Sequence, residues 1–253
     1  MTAVFRHELR NSFHMLTAYF FGACLLVFIG VGAMFYNIQA SVSNFEYVLA
    51  DSCLAFVVIV PILTMRTIAE ERRQRTDQLL YSLPITTLQV VLGKYLALLA
   101  VYAVPLALIA LYPLLFAQYG EVYLPTSYGS IFAFFLLGAA LTALGMFLSS
   151  LTENQGFAAG ISIAAILFNY YSVSLAEYVS STAFGSAAAV CVLILLLSLL
   201  IRHVTRNENL AWGVGLVLLA VTAAVYFMDA QAFEGLLPAV MTRLSLFDRF
   251  YTF

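Results

Sequence analysis

The densest group of polar side chains lies in one segment, residues 66–94, which reads RTIAEERRQRTDQLLYSLPITTLQVVLGK. The segment carries five of the eleven Lys and Arg residues and lies between two long apolar runs. Carboxylates and guanidinium groups on so short a segment favour specific pairing with a complementary groove on another protein. We therefore interpret residues 66–94 as a cytoplasmic coupling segment that binds a partner. The alternative is a solvated helix whose charges only fix the membrane topology.

The sequence of this segment also predicts its local structure. AEERRQRTDQ is polar on every face of a helix, and LLYSL after it is apolar. Pro84 then ends the helix, because proline lacks the amide hydrogen that a helix interior needs. A helix joined rigidly to the two flanking apolar runs could transmit a push from a bound partner into the membrane.

No catalytic, metal-binding or cofactor-binding motif stands out. The only Gly-Lys pair, Gly93–Lys94, lacks both the upstream glycine and the following Ser or Thr of a phosphate-binding loop. HExxH and GxSxG are absent, and Cys24, Cys53 and Cys191 have no metal-ligand spacing. We expect that the chain neither hydrolyses ATP through such a loop nor holds a metal or cofactor of its own.

The composition predicts an all-α polytopic membrane protein. Of the 253 residues 63% are hydrophobic and 9% are charged, whereas soluble domains have about 25% charged residues. Nothing in this composition suggests binding to nucleic acid. About seven runs approach the roughly 20 apolar residues that a membrane-spanning helix needs. They lie at residues 17–36, 47–66, 94–117, 129–151, 155–174, 183–202 and 210–228.

Two further segments resemble helices that lie on the membrane surface. Residues 2–16 predict an amphipathic helix with Phe5, Leu9, Phe13 and Leu16 on one side. Residues 229–253 have apolar side chains at helical spacing and predict an interfacial helix on the outer face.

The distribution of basic residues predicts the orientation. With the N-terminus in the cytoplasm, nine Lys and Arg residues lie in cytoplasmic segments and only Arg243 and Arg249 lie outside. Long stretches of the predicted spans carry no Asp, Glu, Lys, Arg or His, for example between Lys94 and Glu121. Transporters coupled to protons or ions need such residues near the middle of the membrane. Energy for any uphill transport must then come from another protein.

The sequence resembles the permeases of ABC-2 type transporters, especially the gliding-motility-associated branch. The most specific match is RTIAEERRQRTDQLLYSLPIT followed by VVLGKYLA, and FRHELRNSF, SSLTENQGFAA and LSLFDRF add weaker matches. The resemblance implies one permease domain over residues 1–253 in the inner membrane of a bacterium, with residues 2–16 as an elbow helix on the inner leaflet. It also implies an exporter that pairs with a second permease copy or paralogue.

The resemblance further implies two separate cytoplasmic ATPase subunits, which bind the ATP. The residues that it assigns to contacts with the ATPase lie in the coupling segment and in the second cytoplasmic turn; they are Glu70, Glu71, Arg72, Arg73, Arg75, Thr76, Glu153 and Asn154. Family members normally continue past LSLFDRF with a further span, so the last family helix is expected to be missing from a chain that ends at Phe253.

Two other functions compete with transport. Glu70, Glu71 and Arg75 form EExxxR, and His203 with Asn207 forms HxxxN, which resemble motifs of intramembrane prenyl-protease-like enzymes. That chemistry needs a further His in another span, and the glutamates lie in a charged segment instead of a protected cavity. A membrane scaffold or immunity-type protein is the second alternative, since it too would bind cytoplasmic proteins.

Overall fold

The computed structural model describes residues 2–74, 86–178, 182–205, 208–228 and 233–251. All regular secondary structure in these ranges is helical, which confirms the predicted all-α fold. The chain forms two compact units, of which the first comprises Met1–Tyr170 with Arg249–Phe253 and the second comprises Tyr171–Asp248.

The described residues of the first unit form eight complete helices. They are α1 (Thr2–His14), α2 (Leu16–Ala33), α3 (Glu46–Ser52), α4 (Phe56–Thr64), α5 (Ala69–Gln74), α6 (Thr87–Ile109), α7 (Tyr112–Phe116) and α8 (Leu124–Ser150). A π-helix, Met34–Gln39, extends α2, and a 3₁₀ turn, Cys53–Ala55, joins α3 to α4. The next helix, α9 (Gln155–Tyr178), begins in the first unit and ends in the second.

The second unit contains the helices α10 (Ala183–Thr205), α11 (Glu208–Met228) and α12 (Leu236–Leu244). Helices α10 and α11 pack along each other, and a side chain at Gly215 would meet Ser198 at 3.0 Å. The last helix, α13 (Leu246–Tyr251), returns the chain to the first unit.

Within the described part of the chain, five helical segments are long and apolar enough to cross a membrane. They are Leu16–Gln39, Glu46–Gln74, Thr87–Phe116, Leu124–Ser150 and Gln155–Tyr178, and each covers most or all of one predicted span. The last two predicted spans fall on α10 and α11, whose apolar stretches, Ala183–Leu199 and Trp212–Tyr226, are shorter. The polytopic helical architecture is confirmed, and the count of seven spans stays a prediction.

Local sequence signals determine where α6 begins and ends. At its start the Thr86 hydroxyl accepts a hydrogen bond from the Gln89 amide, and the Gln89 side chain accepts one from the Thr86 amide, both at 3.4 Å. This reciprocal capping box satisfies two amides that a helix start leaves without partners. The helix ends at Ile109, four residues before Pro113, which has no amide hydrogen to donate to the Ile109 carbonyl.

The core of the first unit is an aromatic cluster around Tyr102 on α6. The Tyr102 ring stacks on Phe135, with ring centroids 5.6 Å apart, and meets Phe21 and Phe56 edge-on. Its hydroxyl donates a 2.8 Å hydrogen bond to the Phe134 carbonyl, so the polar end of this buried side chain is satisfied.

Two glycines of α8 let neighbouring helices approach closely. A Cβ at Gly138 would lie 2.6 Å from the Tyr102 ring, and one at Gly145 would clash with the Thr64 hydroxyl on α4. Helices α4 and α6 both pack against α8 at these positions. Glycine is required at both because no atom beyond Cα fits.

The structure differs from two sequence predictions at the ends of the chain. The helix predicted over residues 2–16 ends at His14, since Met15 is extended and Leu16 begins α2. The single outer helix predicted over residues 229–253 is two short helices, because the Ser245 hydroxyl accepts a 3.1 Å hydrogen bond from the Asp248 amide and so starts α13 anew. Residues 229–232 and 252–253 lie outside the described ranges.

We expect Gly138→Ala to destabilise the protein, because the buried Tyr102 ring would have to move to admit the methyl group. Overpacking of this kind costs about 1–3 kcal/mol. The matched control is Gly129→Ala on the same helix, which has nothing within 4 Å and gains helix propensity. Thermal unfolding in detergent should show a lower midpoint for Gly138→Ala than for Gly129→Ala. Equal midpoints would contradict the tight contact.

Candidate functional site

The site is built around Lys94, the only lysine in the chain. It lies in the second turn of α6 and only 3% of its side chain is exposed. Lysine is almost never buried this deeply unless its charge is paired, because removing an ammonium group from water costs several kcal/mol. The surroundings of Lys94 must therefore supply acceptors for all of its hydrogens.

Two carboxylates and a backbone carbonyl satisfy the Lys94 ammonium. Its Nζ donates to Glu8 Oε1 of α1 at 2.7 Å and to Glu71 Oε1 of α5 at 2.5 Å. A third bond of 3.4 Å reaches the carbonyl of Thr67, in the turn before α5. An ammonium group has three donors, so each has a partner. We refer to Lys94, Glu8 and Glu71 as the Lys94 hub.

The residue before Lys94 brings α1 close enough for this pairing. A Cβ at Gly93 would lie 3.0 Å from Val4 Cγ1 and 3.4 Å from the backbone nitrogen of Phe5. Glycine therefore lets the backbone of α6 lie directly against α1, and α1 packs along α6. The pair Gly93–Lys94, which has no phosphate-loop context, joins two helices through one small and one charged residue.

A second contact fixes the start of α5 to the end of α8. The fully buried Ser149 hydroxyl donates to the Met65 carbonyl and accepts from the Ala69 amide, both at 3.2 Å. Ser149 is two residues from the turn 151–154, which joins α8 to α9. The two segments that the sequence assigned to one interface, α5 and this turn, thus lie at the same end of the first unit.

The predicted coupling residues take different positions around this frame. Arg72, Arg73 and Glu153 are exposed, whereas Glu70 is half-buried and accepts a 3.2 Å hydrogen bond from Gln74. Glu71 is also half-buried and binds the buried Lys94. The predicted Arg75 and Thr76 lie outside the described residues.

The exposed Asn154 has a structural role in the second turn. Its Oδ1 accepts a 3.0 Å hydrogen bond from the Gly156 amide, which caps the start of α9. Of the proposed EExxxR and HxxxN residues, Arg75 and Asn207 lie outside the described ranges, and the side chain of His203 is not described either.

An open cavity of about 410 Å³ with both polar and apolar walls lies beside the hub. Its polar walls include His7, Asn11, Arg66 and Glu70, together with the hub itself. Within the described ranges, no group of three or more His, Cys, Asp or Glu side chains is placed to hold a metal ion. The arrangement can bind and orient helices through charge.

The role of Glu8 was not predicted from the sequence, and Lys94 was considered only as a charge that sets the membrane topology. The sequence contains a signal for both roles. Lys94 stands within the apolar run VVLGKYLALLA, and Glu8 lies at the border of the apolar side of α1. A charge inside an apolar run needs a partner of opposite sign, although the sequence does not say which acid provides it.

We expect Lys94→Met to lower stability, because it removes the buried cation that pairs with Glu8 and Glu71. The two carboxylates are partly exposed, so the cost should be about 1–3 kcal/mol, the penalty of an unsatisfied polar group. The control is Arg202→Met, which breaks the exposed ion pair of Arg202 with Glu208 and should cost at most about 1 kcal/mol. Thermal unfolding in detergent compares the two. A smaller loss for Lys94→Met would contradict the burial of the hub.

Comparison with known proteins identifies the family of the chain. The sequence model described as ABC-2 family transporter protein matches residues 29–228. Neither the curated proteins nor the solved structures compared with this chain give a match. The matched region covers 200 of the 253 residues. It contains Lys94, α5 and the turn after α8. Permeases of this family pair with an ABC ATPase and are not themselves the catalytic component. The chain therefore belongs to the ABC-2 transporter family and is a multi-pass membrane permease subunit of an ABC transporter.

Proposed function

We propose that this chain forms the membrane-spanning half of a bacterial exporter and is driven by a separate cytoplasmic ATPase that binds α5 and the turn 151–154. The observation that carries the proposal is the Ser149 hydroxyl, which bonds to both sides of the turn before α5. It brings two segments 80 residues apart into one surface. A partner can then push on α5 and on the end of α8 together.

The exposed charges on this surface suit a protein partner. Arg72 and Arg73 project from α5, and Glu153 lies in the turn. Arginine has a planar group that binds carboxylates through two hydrogen bonds, which gives specificity as well as attraction. Mixed charges at the rim of an interface steer the encounter and fix its register. We propose that Arg72 and Arg73 bind acidic residues of the ATPase.

The rest of the assembly follows from the family. We propose a complex of two permease chains, identical or paralogous, with two ATPase subunits that bind the ATP. The N-terminus lies in the cytoplasm, and α1 is the elbow helix on the inner leaflet of the inner membrane. The exposed Arg6 and Arg10 support this, because basic residues on a surface helix attract anionic lipid headgroups. Assignment to the gliding-motility-associated branch and transport outward stay predictions from the resemblance.

The direct test is purification of the tagged permease from its own cells in mild detergent, followed by mass spectrometry. We expect an ABC ATPase in a near-equal amount. Recovery of the intact permease with no nucleotide-binding protein would contradict the proposal and favour the scaffold function.

Charge reversal on α5 tests the docking surface. We expect Arg72→Glu with Arg73→Glu to reduce the ATPase recovered by at least about tenfold, since each lost charge pair is worth on the order of 1 kcal/mol or more. Insertion and stability should not change, because both side chains are exposed. The control is Glu121→Arg, a charge reversal in the exposed loop before α8. Equal recovery from the double variant and the control would remove α5 from the interface.

Cysteine labelling tests the orientation of the chain in the membrane. In a variant with Cys24, Cys53 and Cys191 replaced by Ala, a single cysteine is introduced at Arg73 or at Glu121. We expect a membrane-impermeant maleimide to label Glu121→Cys in intact cells and Arg73→Cys only after permeabilisation. The reverse pattern would place α5 outside the cell and exclude a cytoplasmic ATPase as its partner.

A further inference from the structure

We propose that Lys94 is the positioning residue that makes α1, α5 and α6 move together when the ATPase acts on α5. The inference rests on the proposed function and adds the route by which a push at α5 reaches the first span. The hub, and not α5 alone, is then the element that carries the coupling.

Lys94 connects three helices. Lys94 joins Glu71, 23 residues before it, and Glu8, 86 residues before it. These three residues come from three different helices, and the single ammonium group bonds to both acids. The three helices therefore share one charged centre.

Contacts on two sides hold α5. In the described residues it runs from Ala69 to Gln74 and follows the turn at residues 65–68. On one side Ser149 bonds to its first amide, and on the other Lys94 binds Glu71 and the Thr67 carbonyl. A force on Arg72 or Arg73 passes through these bonds.

The ion pairs of the hub fix geometry more than they add stability. A buried ion pair adds little net stability over an apolar pair of the same size, because desolvation offsets the attraction. It does specify geometry, since each ammonium hydrogen points at one acceptor and the interaction is stronger in a low-dielectric interior. A buried Lys with two acids is thus better suited to fixing the positions of helices than to adding stability.

Helix α1 links the hub to the first candidate span. Helix α1 is separated from α2 by Met15 alone, and α2 is the first of the five candidate spans. The contact of Val4 with Gly93 prevents α1 from sliding independently along α6. Displacement of α5 therefore moves α1, and α1 moves the start of α2.

The test compares wild type with the triple variant Glu8→Gln, Glu71→Gln and Lys94→Met in the purified complex with its ATPase. The triple variant removes all three charges of the hub together, so it should fold and retain the ATPase. We expect permease-stimulated ATP hydrolysis per complex to fall by about tenfold, a typical size for coupling between two sites. The control neutralises the exposed pair with Arg202→Met and Glu208→Gln, and it should retain the wild-type rate.

Conservative rescue separates positioning from packing. Lys94→Arg keeps the charge and the donors, and it should recover most of the stimulated hydrolysis that the triple variant loses. Wild-type stimulation in the triple variant would overturn the proposal, and so would a Lys94→Arg variant as defective as the triple one. Failure of the wild-type permease to bind any ATPase would instead contradict the proposed function, so the two failures are distinguishable.

Because Lys94 is the only lysine, amine acetylation followed by mass spectrometry reports on the hub alone, without the ATPase. We expect Lys94 in the wild type to react at least about tenfold more slowly than in Glu8→Gln or Glu71→Gln, because paired and buried amines are protected. Equal reactivity in wild type and both variants would show that the hub does not hold the three helices and would overturn the proposal.

Discussion

Burial of one ammonium group constrains the whole end of the first unit. Because Lys94 is removed from water, α6 must have acidic side chains within bonding distance, and only neighbouring helices can supply them. Glu8 brings α1, Glu71 brings α5, and Gly93 provides the space in which α1 lies. Helices α1, α5 and α6 are thus arranged around a single charge.

Much of the fold could be predicted from the sequence because membrane helices have a strong signal. Runs of about 20 apolar residues are rare except in spans, and proline and capping residues indicate helix ends. Thr86 with Gln89 and the break before Pro113 show this for α6. The break between the surface helix and the first span was predicted after residue 16 and lies at Met15. The break at Ser245 was not predicted, because apolar periodicity continues across it and only the local cap interrupts the helix.

The candidate site was predictable only in part. The polar segment that contains α5 and the turn at Glu153 could be recognised from the motif at residues 66–94 and from the charges. What the sequence could not reveal is which charges face inward. Glu70, Glu71, Arg72 and Arg73 are adjacent, and a rotation of 100° per residue along the helix directs Glu71 to Lys94 and the arginines outward. That partition depends on tertiary contacts with α1 and α6, which lie far away in sequence.

Gly138 and Gly145 are seven residues apart, so they lie on nearly the same side of α8, about two turns from each other. One glycine receives Tyr102 of α6 and the other receives Thr64 of α4. Helix α8 can neither rotate about its axis nor slip by one residue without driving the Cβ atoms of neighbouring residues into those side chains. Helices α4, α6 and α8 are therefore held in one register, and any movement between them requires Tyr102 or Thr64 to leave its notch.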